Sequence, residues 1–161
     1  ARDTGFFSYL HLCSKAPFEI IEGDARNTLS AIGDRKFGLI LMDAFNSDAI
    51  PVHLVTREAL NLYLSKLADG GVIAVHISNR HLDMHSIISS LADDRGLACL
   101  GADDLEDRPE VHKEPSNWIV LARKKEDFGI INADPRWKPV PHKPGQRVWT
   151  DDYSNILQAL W

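Results

Sequence analysis

The sequence predicts an α/β protein built on a mainly parallel, doubly wound sheet, with an antiparallel strand pair near its C-terminal end. Three observations lead there. Apolar runs of strand length alternate with stretches of helical periodicity. Residues that cap helices stand between them. The strongest apolar runs lack polar alternation, as do strands covered on both faces of a parallel sheet.

The elements follow in chain order. Residues 18–21, Phe-Glu-Ile-Ile, form a short β-prone run ending at Glu22-Gly23-Asp24, and Asp24 is placed to cap a helix over 25–32. Phe37–Met42 is almost continuously apolar and ends in Asp43, which predicts a strand at the sheet centre. After a loop over 44–55 that contains Pro51, Thr56 caps a helix in which Ala59, Leu60, Tyr63, Leu64 and Leu67 recur at helical spacing until Gly70-Gly71 stops it. Residues 72–77 form the next buried strand. Asp83 then caps a helix carrying Ile87, Ile88 and Leu91, closed by Gly96. A strand at 97–100, a charged loop over 103–113 and a strand at 118–122 complete the sheet, and their short connection predicts an antiparallel pair. Beyond Asp127, Pro135, Pro139, Pro141 and Pro144 force an extended path before a short helix over 154–160. The expectation is one domain over 1–161, with 132–161 as a Pro-rich tail that Trp137, Trp149 and Trp161 pin in place. No internal repeat is visible.

Composition bounds the function. The 161 residues are 44% hydrophobic and 25% charged, which suits one globular domain. The net charge of -5 argues against a nucleic-acid surface, which needs concentrated Lys and Arg, and suits a cationic ligand better. Cys13 and Cys99 sit among apolar neighbours without metal-ligand spacing, so buried free thiols and a reducing, cytoplasmic setting are expected. No run approaches the ~20 apolar residues that cross a bilayer, and no signal segment is present. The opening at Ala1, without an initiator Met, leads us to expect a piece cut from a longer protein.

Ligands of such sheets bind beyond the carboxyl ends of the strands, which singles out Asp24, Asp43, His76 with Asn79, and Asp48 in the loop after a strand. Each has a plainer alternative: a helix cap for Asp24, a turn brace at Asn46-Ser47 for Asp48, and a satisfied core histidine for His76. Asp43 reads as functional, because an acid closing an apolar central strand is partly desolvated and costly without a partner. His81 and His85 have helical ligand spacing but no third ligand, so they read as solvated polar residues and no metal is expected. The acids Asp103, Asp104, Glu106 and Asp107 read as a solvated loop or a lid over the rim.

Three motifs carry a family resemblance: Glu22-Gly23-Asp24-Ala25-Arg26, the stretch running through Met42-Asp43-Ala44-Phe45-Asn46-Ser47-Asp48, and Gly70-Gly71-Val72-Ile73-Ala74-Val75-His76. Together they resemble the successive motifs of the spermidine synthases, and most of all those of bacterial spermidine synthase-like proteins, some of which are fused to membrane transporter segments. Thr150-Asp151-Asp152-Tyr153-Ser154-Asn155 is similar to the closing motif of that subgroup. The resemblance implies the Rossmann-like fold of S-adenosylmethionine-dependent methyltransferases. The chain would be the C-terminal part of one catalytic domain, without the first two strands, their glycine loop and the ribose-binding acid. It also implies self-association through the strand edges so exposed, and an intact protein that can be attached to a membrane-embedded segment.

The resemblance also implies roles. Asp24 would accept a hydrogen bond from the adenine amino group, with Ala25 beside it. Asp43, followed by Ala44, would lie against the sulfonium and assist deprotonation of the attacking amine. Asp48 would hold that amine. His76 stands where the synthases place a Gln, with Asn79-Arg80 where they place an aromatic residue. The implied co-substrate is decarboxylated S-adenosylmethionine or S-adenosylmethionine itself, the partner is a small-molecule amine, and no metal is needed. Methyl transfer, or a degenerate domain with a docking role, are the alternatives. The chemistry fits the residue types: an amine of pKa ~10.4 is mostly protonated at neutral pH and needs a nearby carboxylate to become a nucleophile.

Overall fold

The computed structural model describes residues 6, 8–44, 51–79 and 81–160, apart from the side chains of residues 10, 11 and 158. The chain divides into two compact units, Ala1–Ala31 and Ile32–Trp161.

The first unit holds two short helices, α1 (Tyr9–Cys13) and α2 (Ala25–Ala31). Asp24 caps α2: its Oδ1 accepts the Asn27 N–H at 2.9 Å, and its carbonyl accepts the Thr28 N–H at 2.9 Å. Gly23 enters this cap at φ +142°, and a Cβ there would lie 2.8 Å from the Thr28 methyl, so the turn requires glycine. The strand expected at 18–21 does not form. Strand propensity reflects the fit of a side chain to a half-buried pleated surface, and here Phe18 and Ile21 are 44% and 49% exposed. Cys13, expected to be buried, is exposed because it ends a five-residue helix whose Leu12 is exposed too.

The second unit is a five-stranded sheet with two helices. In chain order it contains β1 (Phe37–Met42), α3 (Arg57–Lys66), β2 (Leu67–His76), α4 (Met84–Asp94), β3 (Ala98–Asp104), β4 (Ser116–Ala122) and β5 (Lys138–Pro139). The strands lie in the order β1-β2-β4-β3-β5. β1 pairs parallel with β2, whereas β4 is antiparallel to both β2 and β3, and β5 is antiparallel to β3. The mainly parallel sheet expected from the sequence is therefore corrected to a mixed one. β1, β2 and β3 do share one direction, but the hairpin from β3 turns β4 back into the gap beside β2. The expected antiparallel pair is this hairpin.

β1 is also corrected, from the centre to an edge of the sheet among the described residues. The register Ile40↔Ile73 and Met42↔Val75 puts Ile40 and Met42 on the helix-covered face, and leaves Leu39 and Leu41 on the other, each 58% exposed. On the helix face, Met42, Ile73, Val75 and Leu121 meet Leu60 and Tyr63 of α3 and Ile88 and Leu91 of α4 around a void of about 20 Å³. On the opposite face Ala74, Leu100, Val120 and Ala122 pack on Phe128, with Trp137 at the margin; Phe128 comes from a 3-10 segment, Lys125–Ala133. Full burial of side chains such as Ile73 and Ile119 contributes about 1.5–3 kcal/mol each.

Local sequence fixes the helix ends. Thr56 caps α3 by accepting the Ala59 N–H at 3.2 Å. α3 stops at Lys66 rather than at the glycines, because β2 begins at Leu67 in register with Phe37. Arg123 donates to the carbonyls of Leu64, Leu67 and Ala68 around this stop. Asp83 caps α4 by accepting the Ser86 N–H at 3.1 Å, and Gly96, at φ +63°, closes it as its N–H reaches the Asp93 carbonyl. Arg57 clamps Asp94 with two hydrogen bonds, 2.8 and 2.6 Å, joining the start of α3 to the end of α4 and holding the Asp94 carboxyl below its ordinary value.

The Pro-rich tail returns to the helices. Trp149 is 1% exposed, and its carbonyl accepts the Arg57 N–H at 2.9 Å. The Thr56 hydroxyl donates to Asp151 at 2.7 Å, and the Asp151 N–H donates to Glu58 at 2.9 Å. The short terminal helix is a 3-10 turn, Ile156–Ala159, whose Ala159 carbonyl accepts the Asp83 N–H at 2.6 Å. Trp161, expected to help pin the tail, lies outside the described residues.

Two predictions follow from these contacts. Thr56→Val keeps the shape but removes both the cap and the link to Asp151; it should cost about 1–2 kcal/mol by urea denaturation, and an unchanged midpoint would show that neither bond stabilises the fold. Burial pushes the Cys99 thiol up to about 12, so it stays protonated through the neutral range. The stability this contributes is complete below the unfolded thiol value of ~8.5 and is lost as pH rises toward the folded one. Iodoacetamide at about pH 8.5 should therefore alkylate Cys13 and spare Cys99, and equal labelling in the folded protein would contradict the partial burial of Cys99.

Candidate functional site

Parallel pairing in register brings the carboxyl ends of β1 and β2 side by side: Met42 stands opposite Val75, and the residues that follow are Asp43 and His76. The Asp43 Oδ1 lies 2.8 Å from the His76 Nδ1. On the other side of the ring the His76 Nε2 lies 2.7 Å from the Ser78 Oγ, which accepts the Asn117 N–H at 2.9 Å. The imidazole stacks on Trp118, its cross-strand partner on β4, with ring centroids 4.7 Å apart and planes 22° from parallel. The partners assign the tautomer. A carboxylate only accepts, so Nδ1 carries a proton, and in the neutral ring Nε2 then accepts from the Ser78 hydroxyl.

The exposures differ: the His76 side chain is 24% exposed, while that of Asp43 is 56% exposed. This corrects the expectation that Asp43 is desolvated. A strand at the sheet edge ends in solvent, and what marks Asp43 out is its histidine partner rather than burial.

The other candidates divide. Asn79 uses its Oδ1 to accept the N–H groups of His81 and Leu82, both at 2.9 Å, which turns the chain toward α4, and it lines a cleft together with His76 and Ser78. Ala44 is exposed next to Asp43. Asp24 and Ala25 belong to the first unit, where Asp24 is a helix cap. Asp48 and Arg80 lie outside the described residues. The sequence reading missed Ser78, Trp118 and Asn117. A signal for Ser78 was available: it follows His76 by two in an extended segment, a spacing that puts both side chains on one side.

The cleft occupies about 970 Å³. Its floor is His76, Ser78 and Asn117, and its wall is the β3–β4 hairpin with Leu105, Asp107, His112 and Glu114. Lys113 braces that wall, donating to Asp104 at 2.8 Å and to Glu106 at 2.9 Å, while Arg108 lies 3.2 Å from Glu106. These hydrogen bonds hold the Asp104 and Glu106 carboxyls below their ordinary values and raise the Lys113 ammonium. The acidic run is thus a braced wall rather than a merely solvated loop, and Asp104 belongs to β3 itself. Asp103 pairs with His85 at 3.1 Å beside a second, smaller cleft of about 640 Å³. Among the described residues no three His, Cys, Asp or Glu gather as a metal site, and no helix is long and apolar enough to cross a membrane.

No protein-family model matches the chain, and no curated protein matches it. Among solved structures it is similar to MnmC2 from Aquifex aeolicus, at 15% identity and a TM-score of 0.42, over 75% of this chain and 37% of that one. The chain thus spans little more than a third of that structure's length. A likeness so slight carries neither a family nor an activity across.

The Lys113 brace has a definite pH dependence. Its two carboxylates have lowered folded values, so their contribution is present above the unfolded values of ~3.9 and ~4.3 and is lost as pH falls through the folded ones. After correction for intrinsic rates, amide exchange at Arg108 and Lys113, which bond each other's carbonyls at 3.0 and 3.1 Å, should quicken on acidification to about pH 2–3 more than at Val120. Lys113→Met should show the faster exchange already at neutral pH; protection equal to that of the unsubstituted protein would rule the brace out.

Proposed function

We propose that the intact protein, of which this chain is the C-terminal part, acts in group transfer from an S-adenosyl sulfonium nucleotide to an amine, with Asp43 as the proton acceptor, and that the chain alone is inactive. One observation carries this reading: the Asp43–His76 pair, 2.8 Å apart, at the carboxyl ends of two adjacent parallel strands, the place where ligands of α/β sheets bind. The sequence likeness to the spermidine synthases at Asp24-Ala25, Asp43-Ala44 and Asp48 supports the same reading and favours the decarboxylated nucleotide and aminopropyl transfer.

The step balances without a metal. The amine lone pair attacks the carbon bound to the sulfonium, the C–S bond breaks with its electron pair going to sulfur, and a neutral thioether leaves. The proton shed by the attacking nitrogen passes to Asp43. His76 contributes through its Nδ1–H, which holds one carboxylate oxygen while the 56% exposure of Asp43 leaves the group open to an incoming amine. Most of the rate comes from placement, since the leaving group needs no acid. The sequence likeness alone would give Asp24 and Ala25 the adenine, and Asp48, His76 and Asn79 the acceptor amine.

The test is to incubate the intact protein with each nucleotide and a panel of amines, and to identify the thioether nucleoside released. The product from the decarboxylated nucleotide supports aminopropyl transfer, that from S-adenosylmethionine supports methyl transfer, and neither product across the panel overturns the proposal in favour of a docking domain. Asp43→Asn should lower turnover by about 10²-fold or more while nucleotide affinity changes much less. Asp24→Ala should weaken nucleotide binding by about 1–3 kcal/mol in calorimetry, and equal affinity would leave Asp24 as a helix cap alone.

A further inference from the structure

Hydrogen bonds run from Asp43 through His76 to Ser78, in the order of a hydrolase triad, but the serine is held differently from a nucleophile. Its Oγ already accepts the Asn117 N–H at 2.9 Å and lies 2.7 Å from the His76 Nε2, to which its hydroxyl donates when the ring is neutral. The amide that pins it is itself fixed, because Asn117 also accepts the Ile77 N–H at 2.8 Å and stands within the ladder between β3 and β4. On the remaining side the Trp118 ring, stacked at 4.7 Å, blocks rotation of the imidazole.

We propose that Ser78 is a positioning residue that closes the Nε2 side of His76. A neutral imidazole has two tautomers and one basic lone pair. With the Ser78 hydroxyl donating into that lone pair, the neutral ring is held as the Nδ1–H form, aimed at Asp43. Without Ser78 the Nε2 lone pair opens onto the cleft that His76 and Ser78 line, and nothing on that side holds the ring in one tautomer. This rests on the reading of Asp43 as the base, yet its main test does not.

That test is the nitrogen-15 spectrum of the His76 ring at about pH 8, where an ordinary imidazole is neutral. The unsubstituted protein should show a protonated Nδ1 and a hydrogen-bonded, unprotonated Nε2. Ser78→Ala should abolish the hydrogen-bonded Nε2 signature and broaden the ring signals, while Ser78→Thr, which keeps the hydroxyl, should restore both. Ser78→Cys, similar in size but a far weaker donor, should behave as Ser78→Ala does and serves if the alanine variant does not fold. An unchanged Nε2 signal in Ser78→Ala or Ser78→Cys overturns the assignment, as does covalent labelling of Ser78 by a fluorophosphonate, which would show a hydroxyl free to attack. Where transfer activity is present, Ser78→Ala should lower kcat by roughly 10-fold with little change in KM, the size of one lost hydrogen bond. The two readings fail separately: a tautomer signature that depends on Ser78 in a protein without transfer activity removes only the nucleotide reading, and transfer with a signature indifferent to Ser78 removes only this one.

Discussion

The ladder between β2 and β4 is the constraint on which the rest of the second unit depends. It runs antiparallel from Val72↔Ala122 to His76↔Trp118, and it puts Ile73, Val75, Ile119 and Leu121 on one face and Ala74, Val120 and Ala122 on the other. Both cores are therefore built on the same two strands. One face is covered by α3 and α4, the other by the segment that contributes Phe128. The last rung of the ladder also makes the site, because it is the pairing of His76 with Trp118 that stacks the imidazole.

Much of this was legible in the sequence because it is local. The caps at Thr56 and Asp83 and the stop at Gly96 lie where the sequence placed them, since capping needs only a side-chain oxygen and a following turn of helix. The run over Phe37–Met42 is a strand. What the sequence could not supply was the strand's neighbours. An apolar run looks the same at a sheet's centre and at its edge, so the exposure of Leu39, Leu41 and Asp43 could not be read from it. The reversed insertion of β4 is likewise a matter of topology. At residues 18–21 propensity pointed to a strand, and the fold supplies no half-buried surface on which those side chains would lie as one.

The site was legible to the same extent. Asp43 and His76 stand out because each closes an apolar run with a polar group, a pattern visible in one dimension. Asn117 and Trp118 do not stand out, because they lie on a strand that arrives about 40 residues later along the chain. The histidine, judged alone, looks like an ordinary core residue. Only the carboxylate at 2.8 Å, the hydroxyl at 2.7 Å and the indole beneath it give the ring a fixed direction.

The contacts that Trp149 and Asp151 make with the start of α3 bear on how the protein is made. Thr56 and Asp151 are 95 positions apart, so the first turn of α3 lacks its partners until the region around residue 150 is available. At a synthesis rate of about 5–20 residues per second, that interval lasts on the order of 5–20 s. Through it, the Arg57 N–H lacks the Trp149 carbonyl and the Thr56 hydroxyl lacks Asp151. The proline-rich segment before Trp149 favours an extended path, which shortens the search by which the tail finds its place. The unit thus matures from its C-terminal side, and its period of greatest exposure to chaperones and proteases falls while it is still being synthesised.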